Sequence, residues 1–441
     1  MFGQILLKAT RLSKNANFLS AILTVATLLG AACSGTTTTM APTTSGIDCM
    51  GAASGDEITM LYSWSGAEEA RLNKILKPLV TACGIVFKPE STRDRSRLDT
   101  KLQAGAPPDV AFCCVSQLAQ YEDQLISMDK LGAHSENYQA SFTNPGTVNG
   151  KWLSLPVKFD IKSIIWYSPA VFAAKGYHVP ATWAELESLV EKMKAKGDVP
   201  WSMGLESREA TGWTGSDFIQ DILLVQQRPD YVLGLIDGSI AYDDEGVKQA
   251  YETYGKWAKD PAYTVGGAKG TVSTPFLDAI YKPFNAPPEA MMVKQSGFAG
   301  GEIAVKFPDL QYGVDYDFFP MPDAQGLQIG ATYMMAFRDK PAVRALVAYL
   351  SSDLGGADWA RASFDLSPNK GAAGNYTDLA LVKKGVILAN ARRVTPDLGD
   401  SIPGGFTQAE WRAIVNFISG GDLAHELKAA AEVQAAALGS R

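Results

Sequence analysis

Short apolar runs and longer periodic stretches alternate along the first third of the chain. Ile58-Thr59-Met60-Leu61-Tyr62 predicts a strand, and Ser65 to Val80 a helix, with Glu68 and Glu69 in the first turn where acids complement the dipole. Ile85-Val86-Phe87-Lys88 predicts a second strand. Arg95 to Ala104 predicts a helix stopped by Gly105 and Pro107-Pro108, and Asp109-Val110-Ala111-Phe112 a third strand. This order indicates βαβ units and a largely parallel sheet, in which ligands sit beyond the carboxyl ends of the strands. The loops after Tyr62, Lys88 and Phe112 are therefore the first places to look for a site.

Leu153 to Tyr167 is long and extended, and a period of two puts Lys158, Asp160 and Lys162 on one face. Thr182 to Lys196 predicts a helix with Thr182 as N-cap and Glu185 completing a capping box. Further helices are expected at Asp217 to Gln227, Asp244 to Lys259, Lys340 to Ser352, Gln408 to Gly420 and Leu423 to Leu438. Asp317 to Pro322 reads as an extended crossing segment. No internal repeat is visible.

The N-terminus sets the compartment. Lys8, Arg11 and Lys14 precede a 15-residue uncharged, mostly apolar run from Phe18 to Ala32. That is short for a membrane span, which needs ~20 residues, and suits a signal peptide. The run ends Leu29-Gly30-Ala31-Ala32-Cys33, resembling a bacterial lipobox with Cys33 as the lipidated mature terminus, although Leu29 stands one place early. An ordinary secretory cleavage nearby is the alternative. Either way residues 1–32 are expected to be removed, and the protein is expected to work outside the membrane. From Ser34 to Gly55 the chain is rich in Thr, Ser, Gly and Ala without hydrophobic period, as in a tether; the tether is placed at 33–55.

Composition narrows the classes. With 441 residues, 46% apolar and 20% charged, the chain has room for two or three domains and is neither disordered nor polytopic. Its net charge of −7 becomes −10 without residues 1–32, which hold three cations and no acid, so the electrostatic footprint of a nucleic-acid binder is lacking. Three His argue against a multi-His metal site, and no cofactor is expected.

Several stretches carry a resemblance. They include Ser63-Trp64-Ser65-Gly66-Ala67-Glu68-Glu69, Ser91-Thr92-Arg93-Asp94, Phe159-Asp160-Ile161-Lys162-Ser163, Thr211-Gly212-Trp213-Thr214-Gly215-Ser216-Asp217, Asp315-Tyr316-Asp317-Phe318-Phe319-Pro320 and Ser367-Pro368-Asn369-Lys370. In this order and spacing the chain resembles the carbohydrate-binding proteins of ABC importers over nearly all of residues 56–438. Within them it is similar to the alpha-glucoside-binding subfamily, with a fold like the maltose-binding protein. The resemblance implies an α/β, two-lobe periplasmic-binding-protein fold (type II-like) with sugar in the interlobe cleft. It implies three crossings, at Lys158–Phe159, Pro320–Met321 and about Ser367–Lys370. The lobes are then discontinuous, 56–158 plus 322–368 and 159–321 plus 369–441. Partners follow from the same source: a small sugar, the transmembrane subunits of an ABC permease, and the membrane through the lipid anchor only. A monomer is expected from the two-lobe mechanism.

A sugar has apolar ring faces for aromatics and a rim of hydroxyls for charged and amide groups. Candidates of the right types are Trp64, Glu68, Arg93, Lys158, Asp160, Trp213 and Asp217. Each has a plainer alternative: core packing for the tryptophans, helix-end electrostatics for Glu68, a turn pair for Arg93 with Asp94, and a hinge ion pair for Asp160 with Lys162. Cys113 and Cys114 follow the third strand, where relatives commonly carry a Pro- and Gln-containing segment. Exported thiols tend to oxidise. A vicinal Cys113–Cys114 disulfide would give a flat platform for a sugar face, and the alternatives are two buried thiols or one of the two bridged elsewhere. Cys49 and Cys83 are both expected at the end of the sheet opposite the cleft, which makes a Cys49–Cys83 bridge the expected pairing.

Three functions compete. One is a non-catalytic binding protein delivering an α-linked gluco-oligosaccharide to a permease. Another is an exported hydrolase using two carboxylates, although no G-x-S-x-G or H-E-x-x-H occurs. The last is a binding protein for a non-sugar solute such as a polyamine.

Overall fold

The computed structural model describes residues 46–94, 96–113 and 115–439. The signal peptide, Cys33 and the first part of the tether lie outside the described residues, as does Cys114 and with it the Cys113–Cys114 pairing. Among the described residues no helix is long and apolar enough to cross a membrane.

In chain order the elements that place the site begin with β1 (Glu57–Tyr62), α1 (Ala67–Cys83), β2 (Val86–Ser91), α2 (Arg97–Gln103) and β3 (Val110–Cys113). Then come β4 (Ser154–Ile161), β5 (Ile164–Tyr167), β6 (Trp201–Ser202), α3 (Trp213–Gln226), β7 (Met292–Lys294) and α4 (Ala299–Lys306). The last are β8 (Asp317–Pro320), β9 (Leu327–Ala336), α5 (Leu379–Asn390), β10 (Val394–Pro396) and α6 (Phe406–Ile418). The expected βαβ start is present: β1 runs parallel to both β2 and β3. On the other side of β3 comes β9, antiparallel, and β9 in turn pairs with β4. This sheet builds the first lobe, whose core holds Ile58, Leu72, Leu76, Leu346 and Trp359. The second lobe has its own sheet in the order β8-β5-β7-β6. Its core gathers Trp201, Phe218, Tyr254 and Trp257 with Phe406 and Ile414 of the C-terminal helices.

Two findings change the expected layout. Asp317–Pro320 pairs with Ile164–Tyr167 inside the second lobe and does not cross. The second crossing, expected at Pro320–Met321, falls in β9, a strand the sequence pattern did not suggest. Leu327–Ile329 pairs with β10 and Tyr333–Ala336 with β3, so one ten-residue strand serves both lobes. Near the third crossing, Leu366 bridges Phe159, and the Asn369 amide donates to the Ser351 and Ser352 carbonyls of the first lobe. Then α5 packs in the second lobe through Ala380.

The other change is at the N-terminus. The tether, expected to reach Gly55, ends earlier on the described residues: Ile47, Cys49, Met50 and Ala52 pack against the first-lobe core. The physical reason is covalent, because Cys49 is bonded to Cys83, the last residue of α1.

Candidate functional site

A cavity of about 200 Å³ opens between the lobes. The three loops singled out by the strand pattern form its first wall, through Tyr62 and Ser63, Thr92 to Asp94, and Phe112 with Cys113. Ala331 and Thr332, midway along β9, contribute from the hinge. Trp213, Ser216 and Asp217 of α3, with Asp397, Asp400 and Trp411, form the opposing wall.

Local geometry explains how both tryptophans reach the cavity. Gly212 precedes α3 with φ near +115°, and a Cβ there would stand 2.7 Å from the Cβ and carbonyl oxygen of Trp411. Only glycine permits this approach. It lets the helix begin at Trp213, four residues before the expected Asp217, and brings α3 against α6. The Trp213 ring meets Phe276 edge-on at 5.3 Å, and the Arg93 guanidinium lies 4.6 Å from the centre of the same Phe276 ring. Arg93 belongs to the first lobe and Phe276 to the second, so this cation–π contact spans the cleft.

Lys162 organises the charged floor. Its Nζ donates to Asp217 Oδ1 at 2.8 Å and to Asp397 Oδ2 at 2.6 Å, and stands 5.9 Å from the Trp213 ring centre. Gln328 of β9 donates to Asp397 Oδ2 at 3.3 Å and to Gln220 Oε1 at 2.9 Å. The lysine passes over Gly330, where a Cβ would come within 2.9 Å of Lys162 Cε. Burial pushes the Asp217 carboxyl up to about 6, against the pull of Lys162. The floor thus presents carboxylates pre-oriented by an ammonium, in a cavity also lined by the Trp213 and Trp411 indoles, an arrangement suited to hydroxyls on an apolar ring.

Of the residues expected at the ligand, Arg93, Cys113, Trp213 and Asp217 line the cavity. Four others lie elsewhere. Trp64 is buried in the first-lobe core, 4.8 Å from Phe364 and 5.2 Å from Phe112, so it packs the wall behind the cavity. Glu68 and Lys158 form a buried ion pair at 2.7 Å. Asp160 Oδ1 accepts from the Gly297 N–H at 2.7 Å. Period two was right for β4, but the strand ends at Ile161 and Lys162 turns away to the cavity. Asp94 accepts from both Ser96 N and Ser96 Oγ, capping a turn. Trp411, Asp397 and Asp400 were missed. They come from the chain's last fifty residues, and no local pattern marks a helix-face tryptophan or an Asp-x-x-Asp turn as cleft-facing.

Residues 74–385 match the family described as bacterial extracellular solute-binding protein. The chain is 32% identical over 391 residues to the alpha-glucosides-binding periplasmic protein AglE of Rhizobium meliloti (strain 1021), covering 83% of this chain and 84% of that protein. It is 30% identical over 394 residues to the osmoprotective compounds-binding protein GgtB of Synechocystis sp., covering 85% and 92%. Among solved structures it is similar to the bacterial solute receptor AcbH, described as having an exclusive preference for β-D-galactopyranose, at a TM-score of 0.71 and 18% identity, covering 87% of this chain and 100% of the receptor.

Proposed function

This chain belongs to the bacterial extracellular solute-binding proteins, and we propose that it captures a small α-linked gluco-oligosaccharide of the maltose, trehalose or sucrose class for an ABC importer. The family is one of binding proteins, and the chain is not an enzyme. The observation that carries the reading is the interlobe cavity, which sets Trp213 and Trp411 beside the carboxylates held by Lys162. Ring faces stack on the indoles, and sugar hydroxyls donate to charged acceptors, the stronger kind of hydrogen bond. At about 200 Å³ the cavity is below the ~300–1,000 Å³ of drug-sized ligand pockets, which favours one or two rings over a long chain. The names of the two relatives, one for alpha-glucosides and one for osmoprotective compounds, support a small neutral solute. In this reading Cys33 carries the lipid anchor, the segment up to about residue 45 is the tether, and the protein works as a monomer beside its permease.

Isothermal titration of residues 45–441 with glucose, maltose, maltotriose, trehalose, sucrose and spermidine tests it. A heat of binding for one α-glucoside, with the sugar recovered unchanged, is expected. Binding of spermidine alone would overturn the sugar class. Trp213→Ala is expected to weaken the preferred sugar by about 10- to 100-fold, the loss of one stacking face at ~1.5–3 kcal/mol. Its unfolding midpoint should stay close to that of the unmodified protein, since Trp213 is only half-buried at the cavity wall.

A further inference from the structure

A second cluster of charge lies at the hinge, apart from the cavity. We propose that this hinge stores a proton shared between Asp160 and Asp365, and that its loss drives the lobes apart. The proposal rests on the two-lobe fold and not on the identity of the sugar.

The cluster draws on both lobes and two of the passages between them. Glu68 comes from α1 in the first lobe, Lys158 and Asp160 from β4, Asp365 from the third passage and Lys384 from α5 in the second lobe. All five are more than nine-tenths buried. Lys158 Nζ donates to Glu68 Oε1 at 2.7 Å, and Lys384 Nζ to Asp365 Oδ1 at 2.8 Å. The second lobe closes the group through the Gly297 N–H on Asp160 Oδ1. A Cβ at Gly297 would stand 2.6 Å from both that oxygen and Lys384 Nζ.

Within this group of five, three carboxylates face two ammonium groups, and Asp365 Oδ2 is buried with no hydrogen-bond donor. A buried acceptor without a donor, and a buried charge without a partner, are both costly. One proton on Asp160 resolves both faults: the acid oxygen donates to Asp365, and the group becomes neutral. Tyr376 lies near Asp365, while beyond Glu68 stand Glu302 of α4 and two guanidiniums, Arg71 of α1 and Arg93. Burial, with Asp365 beside it, pushes Asp160 up to about 8. Against the burial that would raise it, Lys384 and Lys158 hold Asp365 below the ordinary carboxylate range.

The coupling to motion follows because the environment of Asp160 is made by both lobes. When they part, water enters and Asp160 returns toward the ordinary value of about 4. The closed state then holds one more proton than the open state between about pH 4 and 8. Closed-to-open ratio therefore falls up to about tenfold per pH unit across that window, roughly a hundredfold from pH 6 to 9.

The test needs no ligand. Aspartate ¹³Cγ resonances would be followed from pH 5 to 9.5 in the protein without added sugar, with Asp160 assigned by its absence in Asp160→Asn. Small-angle scattering would follow the radius of gyration over the same range. The expected result is an Asp160 carboxyl titrating between about 5 and 8, with a radius that rises over the same pH range, and no such rise in Asp160→Asn, the neutral isostere. Titration of Asp160 below about 5, or an unchanging radius, overturns the proposal. If Asp160→Asn does not fold, the Asp160 carboxyl is assigned through its own backbone correlations, and its titration above about 5 supports the proposal. Titration below that value refutes it. Failure of all sugars to bind would bear on the function proposed above and leave this result intact.

Discussion

Replacing Lys162 by Met is expected to cost about 3–5 kcal/mol of stability at neutral pH and to abolish ligand binding. The substitution keeps the length and apolar stem but removes the ammonium that holds Asp217 and Asp397 together. Both carboxylates are almost wholly buried. Removing one partner of a buried pair leaves an uncompensated charge, and that residue of charge is what makes the loss so large. Asp217 gives the pH signature. Its value in the folded protein is already raised, to about 6, so its contribution to stability is full at acid pH and is lost as pH rises through 6. Without the lysine the raised value climbs further. Urea unfolding should therefore show the variant's deficit shrinking between pH 7 and 5, as the folded state takes up protons the unfolded chain does not hold. A deficit independent of pH would mean that Lys162 acts only by packing.

Loss of the Cys49–Cys83 bond is the other large effect. The bridge closes a separation of 34 residues, for which chain entropy assigns roughly 3–4 kcal/mol. Cys83 sits in the first-lobe core beside Leu79 and Ile85, and the bonded end carries Ile47 and Met50 onto that core. Cys49→Ala is the cleaner probe because Cys49 lies at the rim, so little packing is lost with the bond. Its urea midpoint in non-reducing buffer should match that of the reduced unmodified protein. A variant as stable as the oxidised protein would show that the bond constrains nothing in the unfolded chain.

Much of the first lobe was legible in the sequence because its strands are short apolar runs bounded by Gly and Pro. Ile58 to Tyr62 and Asp109 to Phe112 were placed to within a residue or two, and the loops beyond them do line the cavity. The strand from Leu327 to Ala336 was not legible. It lies against different neighbours along its length, buried at both ends and partly open where Gly330, Ala331 and Thr332 pass the cavity, so no single period survives. Residue type alone was also insufficient at the site. Trp64 and Trp213 are equally plausible stacking partners on paper, and what separates them is Phe364 and Phe112 closing over the first. Lys158 and Lys162 differ in the same way: one meets Glu68 and the other meets Asp217, and neither partner can be chosen without the fold.

The shared strand β9 also orders events during synthesis. The first lobe's strands β1, β2 and β3 are complete by residue 113, yet the neighbour that covers β3 is not made until residue 336. For more than two hundred residues of elongation the nascent chain carries a sheet with a bare edge, and a bare edge invites pairing with other chains. Such a chain cannot settle its first lobe early, because pairing across so long a separation is slow. A polypeptide that must stay threadable until its last quarter is made is well matched to passage through a membrane before it folds.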